Sequence, residues 1–160
     1  MASLVVFDSV FGNTEMVARA VAEVLSTAGP VRTLRVSEVE AGHLEGVTLL
    51  VVGSPGHASG ASPGLQAWLA RLPPGCCEGK RVAAFDTRID ATSIRNPIAA
   101  FLVRRSRSAA AAVEKRLLLL GGSPAGPTEG FVVQQKTGPL REGETDRARE
   151  WARALVAPSS

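Results

Sequence analysis

The residues best equipped for chemistry lie together near the start of the chain, in Asp8-Ser9-Val10-Phe11-Gly12-Asn13-Thr14. Ser9 and Thr14 offer hydroxyls, Asn13 offers an amide, and Gly12 admits backbone geometries and close approaches that a side chain would block. The apolar run Val5-Val6-Phe7 stops just before them, and a helical pattern follows at once. A strand that feeds directly into a helix gathers unpaired N–H groups and the positive end of the helix dipole at one spot. That is a setting for phosphate. No Lys or Arg stands between Asp8 and Met16, so such a phosphate would be held by neutral donors rather than by ion pairs.

Two other phosphate loops are excluded by reading. No G-x-x-x-x-G-K-[ST] run occurs, and the first loop has one Gly where a dinucleotide fingerprint needs G-x-G-x-x-G. What remains is an apolar pair and an aromatic, then Ser or Thr, a small residue and Thr at fixed spacing, with Ala and an aliphatic further on. Val5, Val6, Phe7, Ser9, Gly12, Thr14, Ala18 and Val21 fill every one of those places, and the segment resembles the flavodoxin signature. The resemblance implies an FMN-binding domain whose phosphate rests on Ser9, Val10, Phe11, Gly12, Asn13 and Thr14.

It also points to two further loops. In an open parallel sheet the ligand lies beyond the carboxyl ends of the strands, at the switch point in their order. Flavodoxin-like proteins commonly follow the third strand with Gly-Ser-Pro and then set an aromatic against the flavin ring. Gly53, Ser54 and Pro55 match, Gly56 follows, and His57 stands where the aromatic would be. After the fourth strand such proteins usually place a Tyr; this chain has none and reads Thr87-Arg88-Ile89-Asp90. Ile89, or Arg88 by guanidinium stacking, would cover the outer ring face. A cation there would favour the anionic reduced flavin and raise its potential.

These departures leave three functions open. The first is a flavodoxin-like FMN protein moving electrons between protein partners. The second is an FMN-dependent oxidoreductase acting on a small acceptor such as a quinone or porphyrinogen, using a ring face left open. The third is a cofactor-free binding module of the same fold. With only His43 and His57 and the adjacent Cys76-Cys77, no hydrolytic triad or metal set can be assembled. The two cysteines read as small residues of a Pro/Gly-rich turn.

The elements that must position these loops alternate strand and helix, the pattern of a parallel α/β sheet. Strands are expected at Ser3–Phe7, Val31–Val36, Val47–Val52, Arg81–Phe85 and Gly130–Gln134. Helices are expected at Thr14–Ala28, Ser62–Leu72, Pro97–Leu120 with a break at Ser106–Ser108, and Glu142–Val156. Five strands at this length fit a three-layer α/β sandwich with the flavodoxin-like order 2-1-3-4-5, as one domain over residues 1–160.

Composition sets the outer bounds. Hydrophobic residues at 45% and charged residues at 21% describe a globular chain. No apolar run approaches the roughly 20 residues that span a bilayer, and no basic, then hydrophobic leader opens the chain; a cytoplasmic protein is expected. The net charge of +3 is uneven. Residues 1–80 hold 5 Lys/Arg against 7 Asp/Glu, and residues 81–160 hold 13 against 8. The densest basic stretch is Arg104-Arg105-Ser106-Arg107, with Lys115 and Arg116 beyond it. With aromatics at 4% and no Tyr, nucleic-acid stacking is not supported; the stretch reads as a solvated helix face, or as a dock for an acidic redox partner.

Overall fold

A computed structural model of the chain describes residues 1–56, 60–90, 94–105 and 108–157, with side chains at all of these but 103–105. The elements in order are β1 (Ser3–Phe7), α1 (Asn13–Leu25), β2 (Val31–Arg35), two short 3-10 turns (Val36–Glu38 and Ala41–Leu44), β3 (Leu49–Pro55), α2 (Pro63–Arg71), β4 (Arg81–Ile89), α3 (Pro97–Arg105), α4 (Ala109–Leu119), β5 (Ser123–Pro124), β6 (Glu129–Val133) and α5 (Glu144–Val156). All strands are parallel, in the order β2-β1-β3-β4, with β5 and β6 both on the outer edge of β4. This is the expected α/β sandwich and the expected strand order.

Period-two alternation along buried strands divides the core in two. Val5, Phe7, Leu49, Val51, Ala83 and Phe85 pack beneath α1 and α5, where Phe131 and Trp151 meet Phe85 edge to face at 5.9 Å. Leu4, Val6, Leu50, Val52, Val82 and Ala84 pack on the opposite face, beneath α2 and α4. Because both faces are covered, the central strands read as unbroken apolar runs. Register then sets the geometry of the carboxyl edge: Phe7 lies beside Arg35 on one side and Gly53 on the other. The chain therefore leaves β1 between the ends of β2 and β3.

Most element ends differ from the sequence reading by one to three residues, α1 for example stopping at Leu25 rather than Ala28, and larger differences appear around β3, β4 and the outer edge. β4 continues past Phe85 to Ile89, so Thr87, Arg88 and Ile89 are strand residues and not part of a loop. The apolar pattern breaks at Asp86 and Arg88, but β3 and β6 flank this stretch and pair its backbone, and Asp86 is neutralised inside. The fifth strand is split. Ser123–Pro124 pairs with the start of β4, Glu129–Val133 pairs with its end, and a segment containing Gly126 and Pro127 separates them. β3 begins at Leu49 rather than Val47 and runs on through Gly53, Ser54 and Pro55. The expected break in the long helix is present: α3 ends at Arg105, and Ser108 caps α4 by accepting the Ala111 N–H at 3.2 Å.

No described helix is long and apolar enough to cross a membrane.

Candidate functional site

Beyond β1 the chain turns tightly before α1 begins. The Asp8 carboxylate accepts the Ser9 N–H at 3.0 Å and the Ser62 hydroxyl at 2.6 Å, which fixes the start of the turn. Ser9 Oγ accepts the Gly12 N–H at 3.0 Å, and Gly12 adopts the left-handed conformation with φ of +89°. That φ strains any residue with a side chain, which is why Gly stands here. The first bond of α1 runs from the Met16 N–H to the Gly12 carbonyl at 3.0 Å. Among the described residues, the N–H groups of Val10, Phe11, Asn13, Thr14 and Glu15 find no acceptor. Unpaired amides gathered at the positive end of a helix make a donor set suited to an anion.

The side chains of this loop are less alike in their roles than the sequence reading had them. Thr14 is buried, and its hydroxyl lies 2.8 Å from that of Thr87 on β4. Asn13 turns its amide aside, donating to the Thr137 carbonyl at 3.3 Å. Val10 and Phe11 are 71% and 51% exposed, so they contribute backbone rather than packing.

The second loop is held closed at its root. The Gly56 N–H donates to the Thr87 carbonyl at 2.6 Å, and a Cβ at position 56 would stand 2.6 Å from that same oxygen. The Ser54 hydroxyl is fully buried; it accepts the Ser62 N–H at 3.1 Å and donates to the Pro55 carbonyl at 2.8 Å. Ser54 thus ties β3 to the start of α2, leaving Pro55 and Gly56 to face the carboxyl edge. His57 lies outside the described residues, as do Ser106 and Arg107 and the side chains of Arg104 and Arg105.

Of the four candidates at and just past the end of β4, Thr87 bonds to the first loop through Thr14. Arg88 forks the Asp86 carboxylate, Nε to Oδ1 at 2.6 Å and Nη2 to Oδ2 at 2.8 Å, and its guanidinium lies over Gly130. Its charge is therefore matched where it stands. Asp86 is 1% exposed and also accepts the Ser108 hydroxyl at 3.0 Å and the Ala110 N–H at 2.9 Å, joining β4 to the start of α4. Ile89 packs toward the α1/α5 core, and Asp90 faces Arg141 at 3.9 Å.

Two contributors were not found by sequence reading. Arg35, at the end of β2, donates to the Ser9 carbonyl at 3.1 Å and to Glu15 at 2.6 Å, and it lies 5.2 Å from the centre of the Phe7 ring. A search for cations within the loop misses it, but the order 2-1-3 places the last residue of β2 beside the end of β1. The second is the turn between β6 and α5. It is closed by Gln134 N–H to the Pro139 carbonyl and Gly138 N–H to the Gln135 carbonyl, both at 2.9 Å. Gly138 rests on the Asn13 amide with φ of +105°, where a Cβ would come within 2.6 Å of Asn13 Oδ1.

The cysteines belong to the other end of the sheet. A cavity of about 450 Å³ there is bordered by Leu44, Trp68, Leu72 and Cys76. The Cys76 and Cys77 sulfurs are 3.8 Å apart and unbridged, and burial pushes the Cys77 thiol pKa up to about 12. Neither approaches the first loop.

The family model described as flavodoxin matches residues 5–151. Among solved structures, the fold is similar to a flavodoxin from the domain Archaea, with a TM-score of 0.76 and 14% identity over 98% of this chain and 96% of that one. It is similar to oxidised flavodoxin 1 from Bacillus cereus, with a TM-score of 0.74 and 16% identity over the whole of both chains. It also resembles part of the rubredoxin oxygen:oxidoreductase of Desulfovibrio gigas, with a TM-score of 0.71 and 18% identity over 96% of this chain and 35% of that one. No match is found among curated proteins.

Proposed function

The chain belongs to the flavodoxin family, whose members bind FMN, and we propose that it holds FMN non-covalently and carries electrons between protein partners. The observation that carries this reading is the set of unpaired N–H groups of Val10, Phe11, Asn13, Thr14 and Glu15 around the hydroxyls of Ser9 and Thr14. A phosphate dianion satisfies many donors at once, and charge-assisted bonds of this kind are about twice as strong as neutral ones. The flavin supplies the redox chemistry when bound, and the protein supplies position, exclusion of water and electrostatics.

In this reading the first loop takes the phosphate. The backbone of Pro55 and Gly56 and the stretch Thr87–Asp90, at and just past the end of β4, flank the ring, with His57 against its inner face. The Asp86–Arg88 pair makes the flavin's surroundings close to neutral, so Arg88 adds little to the potential. The net charge of +3 favours an acidic partner in the cytoplasm.

Purified protein is expected to be yellow, or to become so with FMN at micromolar concentration, and to release flavin on denaturation. Colourless protein that takes up no added FMN would defeat the proposal. Loaded protein that reduces a quinone rapidly with no protein partner present would favour the small-acceptor enzyme instead.

A further inference from the structure

We infer that Arg35 is a positioning residue of the phosphate loop, turning the Val10 N–H toward the anion by holding the Ser9 carbonyl on the opposite side. The inference rests on the FMN reading above. In a planar trans peptide the C=O and the following N–H point in opposite directions, so fixing one aims the other. Arg35 Nη1 donates to the Ser9 oxygen at 3.1 Å, on the far side of the peptide that carries the Val10 N–H. Among the described residues no other hydrogen bond is made by the Ser9 carbonyl or the Val10 N–H, the Asp8 and Gly12 bonds of the turn falling on the peptides to either side. Val10 and Phe11 are 71% and 51% exposed, so packing does not stop it flipping. The guanidinium, by contrast, is held at three points, by the Ser9 oxygen, by Glu15 Oε1 at 2.6 Å and by the Phe7 ring 5.2 Å away.

The same contacts show what Arg35 does not do. Glu15 pairs with Arg35 at 2.6 Å and with Arg19 at 2.8 Å, so the one positive charge left over is shared with Arg19 and is not Arg35's own contribution, whereas the bond to the Ser9 oxygen comes from Arg35. Its effect is local and directional. A cation bonded to the carbonyl also polarises the peptide and makes the Val10 N–H a stronger donor.

The experiment is a titration of wild type, Arg35→Ala, Arg35→Gln and Arg35→Lys with FMN and with riboflavin, which lacks the phosphate. Circular dichroism of each unliganded variant serves as the folding check. Loss of one well-aimed, charge-assisted contact should weaken FMN about tenfold in Arg35→Ala. Riboflavin should change less than about twofold, because its ring sites are untouched. Arg35→Lys should recover part of the loss, since an ammonium reaches one of the two acceptors but does not fork both. Arg35→Gln keeps the stem and a neutral donor, and should fall between Ala and Lys. Equal weakening of FMN and riboflavin would make Arg35 a general support of the fold and overturn the inference. Unchanged FMN affinity would also overturn it while leaving the cofactor reading intact. Wild type that binds no FMN would overturn both.

Discussion

Thr14 and Thr87 share a single buried hydrogen bond of 2.8 Å, yet two hydroxyls carry two hydrogens. One is spent between them, with either oxygen as its donor, and the other is left to donate, which is how a side chain only 2% exposed would serve the phosphate proposed above. Thr14→Val keeps the shape, removes that donor and strands the Thr87 hydroxyl. Burying an unsatisfied hydroxyl costs about 1–3 kcal/mol, so urea unfolding of the unliganded protein should show a loss of that size. The double variant Thr14→Val/Thr87→Val should lose less than the sum of the single variants, because neither hydroxyl is then left alone. FMN affinity of Thr14→Val should fall about ten- to a hundredfold with riboflavin little changed, since a bond to a charged group contributes about 1.5–3 kcal/mol. Parallel losses for both ligands would detach Thr14 from the phosphate. Additive stabilities would dissolve the Thr14–Thr87 pair.

The elements around the site depend on polar ties that hydrophobic periodicity does not report. Glu144, in the first turn of α5, is buried and accepts the Val132 N–H at 2.6 Å and the Arg147 guanidinium at 2.8 Å, with Arg141 3.5 Å away. Burial by itself would raise its pKa, but the bonds from Arg147 and Val132 outweigh it and hold the carboxyl below the ordinary glutamate range. A carboxyl with a lowered folded pKa contributes stability that is present above its unfolded value and lost as pH falls through the folded one. Glu144→Gln should therefore cost about 2 kcal/mol at pH 7 in denaturant unfolding, and the gap to wild type should narrow below about pH 4. A gap of constant size at pH 7 and pH 3 would show that charge plays no part. The same limit explains which elements were legible. β1 and α1 could be read because an apolar run and a Gly turn leave few alternatives, whereas the strand order came from the strand count together with the flavodoxin resemblance carried by the first loop. The extent of β4 could not, because Asp86 and Arg88 neutralise each other in three dimensions. The two-part outer strand was hidden because Ser123–Pro124 is held by the edge of β4 rather than by its own sequence pattern. Within the site, the loop from Ser9 to Thr14 is local and was visible, whereas Arg35 and Thr137 join it only through the fold.

At the scale of the whole molecule, the sheet is buried on both faces and the described candidate-site residues lie along its carboxyl edge. The ends of β1, β2, β3 and β4 and the turn before α5 all meet there, through Asp8–Ser62, Arg35–Ser9, Gly56–Thr87 and Asn13–Thr137. A ligand bound at this edge touches elements from across the sheet and is lost entirely on unfolding. It should therefore act on global stability rather than on one loop. Mass action gives the size: a ligand at a hundred times its dissociation constant adds about 2.7 kcal/mol. For a chain of this length each kcal/mol moves the melting temperature by about 2–4 °C, so FMN at that excess should raise Tm by about 5–11 °C. Riboflavin at the same molar concentration should give a smaller shift, and the difference between the two measures the phosphate loop's share of the binding energy. Calorimetry of the unliganded protein with each ligand checks this directly. Equal shifts at equal concentration would mean that the donors gathered at Val10 to Glu15 add nothing to flavin binding. A broad transition that splits in two, rather than one that moves as a whole, would mean that the carboxyl edge melts apart from the sheet beneath it.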